Sequence, residues 1–333
     1  MRRRRDKNKK SFISRLWVFL AVILLVSVSL SYMASLYWFF DLFSHFVVQY
    51  VLIAALLTLL LLFSKRKIWA LITLVICASQ AYKVVPYFDF NEDFTEYYDE
   101  VKVLQYNVNR NNVNVDEMTR WIVSKTEDVD IVVLLEVNER WQEAIRRIKW
   151  AYPYHISKDM RGGRNMAVFS RLYVDEIEIK YLKDESPVIV LRGETTGYEV
   201  PFVLYGTHPP PPILPSYAQT NQDVLESIGE HVVKEQIDHR LIVGDFNSTR
   251  FSPNFRKMAE SSNMKEGDIG LGIGAYKPSW PSFLPNLMGI TIDNILVSDN
   301  IVVQKRERGP AMGSDHYPVI TTLKFVVPKE NNG

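Results

Sequence analysis

The sequence predicts three membrane-spanning helices followed by one sheet-rich α/β domain with helices on its outside. Long apolar stretches fill residues 1–86, whereas residues 101–333 contain short apolar runs separated by amphipathic segments and turns. Predicted strands and helices alternate in the first half of this second part, and strands dominate later. That pattern is typical of a sheet with helices packed outside it, and the second part is long enough for one large core.

Charge also divides the chain into two parts. The formal net charge of +1 is an average, because residues 1–86 hold 12 Lys/Arg and 2 Asp/Glu, whereas residues 87–333 hold 27 and 36. The second part therefore carries a net charge of −9. Such an acidic domain is a poor match for nucleic acid, which proteins hold with Lys and Arg. Cys77 is the only cysteine, so no disulfide framework exists.

The N-terminal part is predicted to be a membrane anchor. Apolar spans cover Leu16–Phe40, about Phe46 to Phe63 and Ile68 to about Val85; a bilayer crossing needs about 20 residues. A cleavable signal peptide is the alternative for the first span, but its apolar core is too long and two more spans follow. We assign residues 1–86 to a three-helix anchor and the acidic, aromatic residues 87–100 to a linker.

The basic flanks of the spans predict the orientation of the anchor. Lys and Arg are concentrated in the tail before the first span and in Lys65-Arg66-Lys67 between the second and third, whereas Asp41–His45 has neither. Basic flanks stay in the cytoplasm. Three crossings then place everything after Val85 outside it, which predicts a multi-pass protein of the cell membrane with an extracytoplasmic domain.

Polar residues follow several of the predicted strands at the point where each strand ends. They are Asn107, Glu136, His208, Asp245 with Asn247, Asp293, and Asp315 with His316. Polar groups at the ends of buried strands are costly unless paired, so we expect them to converge on one another or on an ion. The set is rich in oxygen ligands, which suit Mg²⁺ or Mn²⁺ better than Zn²⁺.

The two histidines of this set suggest chemistry on phosphate. His208 and His316 can donate to phosphate oxygens as negative charge builds, and Asp293 can hold His316 in one tautomer and favour its protonated form. Each residue also has a plainer interpretation. Asn107 can be a turn residue, Asp245 with Asn247 can form an Asx turn, and His208 before four prolines can belong to a loop.

The ordered motifs resemble the endonuclease/exonuclease/phosphatase superfamily over roughly Val101 to Val327. They are Tyr106-Asn107-Val108, Leu134-Leu135-Glu136, Gly206-Thr207-His208, Gly244-Asp245-Phe246-Asn247, Ile292-Asp293-Asn294-Ile295-Leu296 and Gly313-Ser314-Asp315-His316-Tyr317-Pro318. The resemblance implies an α+β fold: a four-layer α/β sandwich, in which two mixed sheets are flanked by helices. It assigns residues 101–333 to this domain, with a Mg²⁺-dependent (or Mn²⁺-dependent) phosphoesterase site at one end.

The resemblance also implies roles for individual residues. Glu136 would be the main metal ligand, with Asn107 near it and Asp315 supporting the metal. Asp245 would orient or deprotonate the attacking water, and Asn247 would contact the phosphate. His208 would bind phosphate oxygens. His316, paired with Asp293, would stabilise the pentacovalent state.

The anchor and Pro278–Pro281 resemble the membrane-anchored bacterial branch of the superfamily, which includes proteins similar to the teicoplanin-resistance membrane proteins. One departure is Asn294, where a histidine is expected. From the branch we expect the partners to be the bilayer and a phosphorylated, lipid-linked substrate such as a polyprenyl (pyro)phosphate, with nucleic acid less favoured. A nuclease of the same superfamily and a catalytically silent sensor or interaction module remain the alternatives.

One further segment, Tyr276–Ile290, carries large apolar residues among prolines: Trp280, Phe283, Leu284, Leu287 and Met288. The segment can pack on the core of its own domain, or it can form a lip that touches lipid.

Overall fold

The computed structural model describes residues 2–85, 98–158, 165–183, 186–266 and 276–327, with side chains from residue 12 onward. These residues form two compact units. One unit contains the N-terminal helices, and the other contains two β-sheets.

The N-terminal unit contains four α-helices and one 3₁₀ turn at Ser44–Phe46: α1 (Arg2–Tyr32), α2 (Trp38–Asp41), α3 (Val47–Phe63) and α4 (Lys67–Val84). Three stretches within the described residues are long and apolar enough to cross a membrane: Phe12–Tyr32, Trp38–Phe63 and Lys67–Val84. The hydroxyls of Thr58 on α3 and Thr73 on α4 lie 2.8 Å apart in a buried hydrogen bond. Such interhelical polar contacts stabilise helix pairs in lipid.

The predicted first span was too long at its C-terminal end. It ran to Phe40, whereas α1 ends at Tyr32 and Trp38 already begins the second apolar stretch. Asp41, predicted to lie in the connection, is instead the last residue of α2. Residues 33–40 carry no charge, so hydropathy alone cannot locate the break. The observed connection also lacks Lys and Arg, and the charge pattern used for the orientation is unchanged.

The second unit is built on two six-stranded mixed sheets. The first sheet has the strand order β11-β12-β1-β2-β4-β3, and the second has the order β5-β6-β7-β8-β10-β9. The strands are β1 (Tyr98–Asn107), β2 (Ile131–Leu135), β3 (Tyr154–Lys158), β4 (Met166–Ser170), β5 (Tyr173–Tyr181), β6 (Pro187–Glu194), β7 (Pro201–Thr207), β8 (His239–Asp245), β9 (Lys265–Glu266), β10 (Asp293–Val297), β11 (Ile301–Arg308) and β12 (Val319–Val326).

The core of the unit lies in three apolar layers. Between the sheets, Val133 and Phe325 of the first sheet share one cluster with Leu204 and Val243 of the second. Helices cover the outer faces: α5 (Val115–Ser124) and α6 (Gln142–Lys149) pack on the first sheet, and α7 (Pro215–Val232) and α8 (Pro253–Ser261) pack on the second. The four-layer sandwich of two mixed sheets flanked by helices is therefore confirmed.

Three strands were not predicted from the sequence: β3, β9 and β11. All three lie at the edges of their sheets, and β9 is only two residues long. β11 ends in Gln-Lys-Arg-Glu-Arg, a charged run that suits an edge strand but weakens the apolar alternation by which strands are recognised. β1 begins at Tyr98, so the last three residues of the predicted linker belong to the sheet; residues 86–97 lie outside the described ranges.

The topology brings the predicted polar residues to one end of the sandwich. β1 and β2 run parallel, as do β7 and β8, so Asn107, Glu136, His208 and Asp245 all follow strands that end on the same side. β10 runs antiparallel to β8, and its first residue, Asp293, pairs with Asp245. The strand ends of both sheets thus define one site.

The close pairing of β7 and β8 below this site predicts different effects for two neighbouring glycines. A Cβ on Gly244 would lie 1.9 Å from the carbonyl oxygen of Thr207, whereas the nearest atom to a Cβ on Gly206 is 3.6 Å away. We expect Gly244→Ala to lower the free energy of unfolding by about 1–3 kcal/mol and Gly206→Ala to leave it almost unchanged. Thermal unfolding of the detergent-solubilised protein measures both. Equal stability of the two variants would contradict the close approach of the strands.

Candidate active site

The centre of the site is an amide shared by two carboxylates. Nδ2 of Asn107 lies 3.0 Å from Oδ2 of Asp245 and 3.3 Å from Oε1 of Glu136. Asn107 and Glu136 come from the first sheet and Asp245 from the second. Asp245 is fully buried, whereas the side chain of Glu136 is 21% exposed. Two acids from different sheets therefore meet at one donor, and one of them faces solvent.

Glu136 reaches this position through a left-handed backbone conformation, with φ of 60°. Such a conformation costs a residue other than glycine roughly 1–2 kcal/mol. Arg110 holds the carboxylate from the other side, because its backbone N–H and its Nε lie 3.2 and 3.4 Å from Oε2. Burial alone would raise the pKa of Glu136, but His208, the Arg110 N–H and the Asn107 amide together lower it below its usual value.

Two more residues of the site share this backbone conformation: Asn109 has φ of 56° and Asn247 has φ of 49°. Asparagine tolerates the left-handed region better than other residues with a side chain. Glutamate does not share this tolerance, which makes Glu136 the most informative of the three. Strain of this kind is typical of functional sites, where the surrounding structure holds a side chain in place.

His316 and Asp293 form a buried ion pair next to Asp245. Nδ1 of His316 lies 2.8 Å from Oδ2 of Asp293, and Nε2 lies 3.6 Å from Oδ2 of Asp245. Burial would lower the pKa of His316, but the carboxylates of Asp293 and Asp245 outweigh it and raise the pKa to about 10. His316 is therefore protonated at neutral pH and acts as a donor at both nitrogens.

His208 also lies close to two carboxylates of the site. Its Nε2 lies 3.6 Å from Oδ2 of Asp245 and 3.8 Å from Oε1 of Glu136. Both histidines thus direct Nε2 to the same oxygen of Asp245. Burial raises the pKa of Asp245 to about 7, with Asp293 adding to the rise and His316 opposing it. A carboxyl group with this pKa can accept and release a proton near neutrality.

Asn247 and Asp315 lie at the margins of this centre. The backbone N–H of Asn247 donates to Oδ1 of Asp245 at 2.9 Å, and its side-chain Nδ2 donates to the carbonyl of Pro209 at 2.9 Å. Asp315 accepts from Nδ2 of Asn109 at 2.7 Å and from the indole N–H of Trp280 at 3.1 Å. Asn247 braces the loop after His208, and Asp315 joins two loops at the edge of the site.

Several supporting residues escaped sequence reasoning. Gln105 donates to Oδ1 of Asp293 at 3.0 Å. The hydroxyl of Ser314 donates to the Asn107 carbonyl at 2.7 Å and accepts from the His316 N–H at 3.0 Å. Ser279 accepts from the N–H of Asp293 at 3.1 Å. Gln105 left a signal in the sequence, because it is a polar residue inside an apolar strand, two positions before Asn107 and hence on the same face. Ser279 and Ser314 stand within motifs named above, but the motifs do not indicate these hydrogen bonds.

Two overlapping groups of residues can hold a cation. Asp245, Asp293 and His316 offer ligand atoms that lie within 4.8 Å of one another. That group is poorly suited, because His316 is protonated and both oxygens of Asp293 already accept hydrogen bonds. Glu136 and Asp245 instead offer carboxylate oxygens, and the Glu136 side chain is partly open to solvent. The Asn107 amide directs Nδ2 to both carboxylates, while its Oδ1 accepts from the Asn109 N–H at 3.1 Å. The two carboxylates fit a hard divalent cation such as Mg²⁺ or Mn²⁺, whose charge would offset theirs.

Comparison with known families agrees with this geometry. The profile of the Endonuclease/Exonuclease/phosphatase family matches residues 104–316, which include every residue described above. The chain belongs to the endonuclease/exonuclease/phosphatase family. Members of this family hydrolyse phosphoester bonds and usually use a divalent metal. A search of curated proteins found no match for the chain.

Solved structures share the fold of the family domain at low sequence identity. An endonuclease/exonuclease/phosphatase family protein from Bacteroides thetaiotaomicron is 17% identical, with a TM-score of 0.55 over 69% of this chain and 100% of its own. The human Nocturnin catalytic domain with bound sulfate is 17% identical (TM-score 0.53, 70% and 97% covered). D. rerio TDP2 with a single-strand DNA product is 13% identical (TM-score 0.55, 67% and 98% covered).

Because the backbone of Glu136 is strained, substitutions there can distinguish the effect of its carboxylate on activity from the effect of its backbone conformation on stability. We expect Glu136→Ala and Glu136→Gly to lower phosphoester hydrolysis by more than about 100-fold, because both remove the carboxylate. Glycine adopts φ of 60° without strain, so Glu136→Gly should be more stable than Glu136→Ala by about 0.5–1 kcal/mol. Hydrolysis assays and thermal unfolding check the two parts. Full activity in either variant would remove Glu136 from the site.

The Asp293–His316 pair predicts non-additive losses of rate. If Asp293 orients His316 and keeps it charged, Asp293→Asn and His316→Gln should each lose nearly as much activity as the double variant, because the two groups act as a unit. The measurement is kcat/KM for the three variants and the wild type. If the fold losses in kcat/KM of the two single variants multiply to give the loss of the double variant, the two residues work separately.

Proposed function

We propose that the protein is a membrane-anchored, extracytoplasmic phosphoesterase that requires Mg²⁺ or Mn²⁺ and hydrolyses a phosphorylated lipid. The observation that carries this proposal is the meeting of Glu136 and Asp245 at the amide of Asn107, with His208 and His316 beside them. The same chain also has three helices that are long and apolar enough to cross a membrane.

The residues divide the work of hydrolysis. A divalent cation held chiefly by the Glu136 carboxylate would supply positive charge to a phosphate oxygen. Asp245, whose pKa burial raises to about 7, accepts a proton from the water that attacks phosphorus, while the bond from phosphorus to the leaving oxygen breaks. The N–H groups of His208 and His316 donate to the phosphate oxygens, whose negative charge is greatest in the transition state. Asp293 keeps His316 oriented and protonated.

The location and the substrate class are inferred from the chain's charge and anchor. Basic residues precede the first span and also lie in the connection between the second and third spans. This distribution supports a cytoplasmic position for both segments. An acidic domain of net charge −9 on the outer face of the membrane favours a phosphorylated lipid over a long polyanion. A polyprenyl (pyro)phosphate, which presents its phosphate at the bilayer surface, is the specific substrate we propose.

The proposal predicts that the purified, full-length protein releases phosphate from a polyprenyl pyrophosphate in mixed micelles. Mg²⁺ or Mn²⁺ should support the reaction and EDTA should abolish it, because the site offers oxygen ligands for a hard cation. Hydrolysis of the lipid should exceed cleavage of single- or double-stranded DNA under the same conditions. Glu136→Gln, which keeps the shape of the side chain and removes its charge, serves as the inactive control.

The outcomes separate the alternatives. Efficient DNA cleavage without lipid hydrolysis would favour a nuclease, and no hydrolysis of any phosphoester would favour a silent sensor or interaction module. Protease added to intact spheroplasts tests the location independently, since an extracytoplasmic domain is digested. Full protection, with digestion only after lysis, would overturn the proposed orientation.

A further inference from the structure

A group of exposed apolar side chains lies at the end of the sandwich that carries the site. Six of them lie on three loops: Val113, Ile213, Leu214, Phe283, Leu287 and Met288, each between 51% and 78% exposed. We call these six the apolar rim. Val113 follows Asn107 and Arg110, Ile213 and Leu214 follow His208, and the other three precede Asp293. Each of the three loops therefore connects directly to residues of the site.

Hydrogen bonds fix these loops to the site. Asp315 accepts from Asn109 of the first loop and from Trp280 at the start of the third. The loop after His208 is held at the Pro209 carbonyl by Asn247 and at the Pro210 carbonyl by Asn221. The rim residues are thus mounted on loops whose polar atoms are bonded to the domain.

The third loop shows that exposure of the rim does not come from poor packing. The hydroxyl of Tyr317 donates to the Ser282 carbonyl at 2.8 Å, and Arg308 donates to the Asn286 side chain at 3.1 Å. The backbone N–H of Ser282 donates to the Asp315 carbonyl at 2.7 Å. Phe283, Leu287 and Met288 remain on the outside of this well-bonded loop. Trp280, expected from the sequence to belong to the lip, is instead partly buried with its indole N–H on Asp315.

We propose that the apolar rim docks the catalytic unit onto the interfacial region of the lipid bilayer. This role identifies the surface through which the site meets the membrane, which the proposed function does not specify. It rests on the proposed function only for the activity measurement below. Three arguments favour the bilayer as the occupant: the anchor on the same chain, the charge of the unit and the kind of side chains in the rim.

The anchor keeps a bilayer permanently close. Only thirteen residues, 85–97, separate the end of the third apolar helix from β1, and even a fully extended chain of that length spans at most about 47 Å. Contact with lipid is therefore intramolecular in effect, and a modest affinity suffices. A soluble protein partner has no such advantage.

Charge and side-chain type determine how the rim would bind. With a net charge of −9 in residues 87–333, the unit gains nothing from general attraction to anionic headgroups. Phe, Leu, Ile and Met at the tips of loops instead partition into the boundary between headgroups and acyl chains. Docking should accordingly resist high salt, and it should bring the site to the depth at which a lipid phosphate lies.

The single native cysteine allows a direct test in the full-length protein. In a Cys77→Ser background, an environment-sensitive fluorophore is attached at Leu287→Cys, at Ile213→Cys or at the control position Trp150→Cys. Trp150 is 92% exposed and comes four residues before Tyr154, which begins β3 at the end of the sandwich where β2 also begins, opposite the site. Each protein is reconstituted in vesicles of phosphatidylethanolamine and phosphatidylglycerol.

Docking predicts blue-shifted emission at the two rim positions, with at least about threefold stronger quenching by shallow spin-labelled lipid than at Trp150. Iodide should quench in the opposite order, and high salt should change neither pattern. Equal quenching at all three positions would overturn the proposal. So would a rim signal that disappears when the protein is diluted with lipid, because that result would assign the rim to a second copy of the chain.

An activity measurement then tests whether docking serves catalysis. In Phe283→Ser/Leu287→Ser, the ratio of hydrolysis of vesicle-borne polyprenyl phosphate to hydrolysis of a soluble aryl phosphoester should fall at least about tenfold. Trp150→Ser should keep the wild-type ratio. An unchanged ratio in the rim variant would overturn the role of the rim in substrate access. If the wild type hydrolyses neither substrate, the proposed function fails, while the fluorescence result still decides whether the rim docks.

Discussion

The hydrogen bonds from Asn107 to Glu136 and Asp245 are the interaction on which the rest of the site depends. They join the two sheets at the point where two carboxylates would otherwise repel each other in a poorly hydrated space. Three acids lie close together here, since Asp293 pairs with Asp245 across neighbouring strands. Protonated His316 balances one of them, and His208 lies within 4 Å of the other two. Burial, with a smaller contribution from Asp293, raises the pKa of Asp245 to about 7, and the negative charge that remains makes the site suit a cation.

The same constraint explains why the backbone is strained where it is. A residue that follows a buried strand points its side chain along the strand axis or to one face. Glu136 must turn back to reach Asn107 and to accept from Arg110, and the left-handed conformation achieves this. Asn109 and Asn247 make similar turns, one to reach Asp315 and the other to brace Pro209. The core of the sandwich, with apolar layers on both sides of each sheet, supplies the stability that tolerates this local strain.

Much of this arrangement could be predicted from sequence because it follows from local pattern. A polar residue directly after a buried apolar run marks a strand end, and this rule by itself predicts that Asn107, Glu136, His208 and Asp245 converge. The rule fails for partners that are distant in the chain and bond through the backbone. Ser279 accepts a hydrogen bond from the N–H of Asp293, and Arg306 donates to the Asp293 carbonyl. Ser279 lies within Pro278–Pro281, but that motif does not indicate its bond to Asp293, and Arg306 stands in no distinctive pattern. Charged edge strand β11 and the end of α1 were missed for the related reason that neither has a sharp hydropathy boundary.

Asp315 shows how closely the site and the apolar rim are joined. Its two oxygens bind Asn109, which lies in the loop of Val113, and Trp280, which opens the loop of Phe283 and Leu287. A displacement of either loop at a membrane surface would therefore act on Asp315, next to His316 in the chain, without a further intermediary. The indole of Trp280 belongs to this connection rather than to the exposed surface. The sequence indicates for Trp280 only a preference for interfaces, whereas in the structure its partly buried indole N–H donates to the carboxylate of Asp315. Phe283, Leu287 and Met288 are exposed on a loop that polar residues hold in place. Fixed loops and exposed side chains are therefore provided by different residues of the same segment.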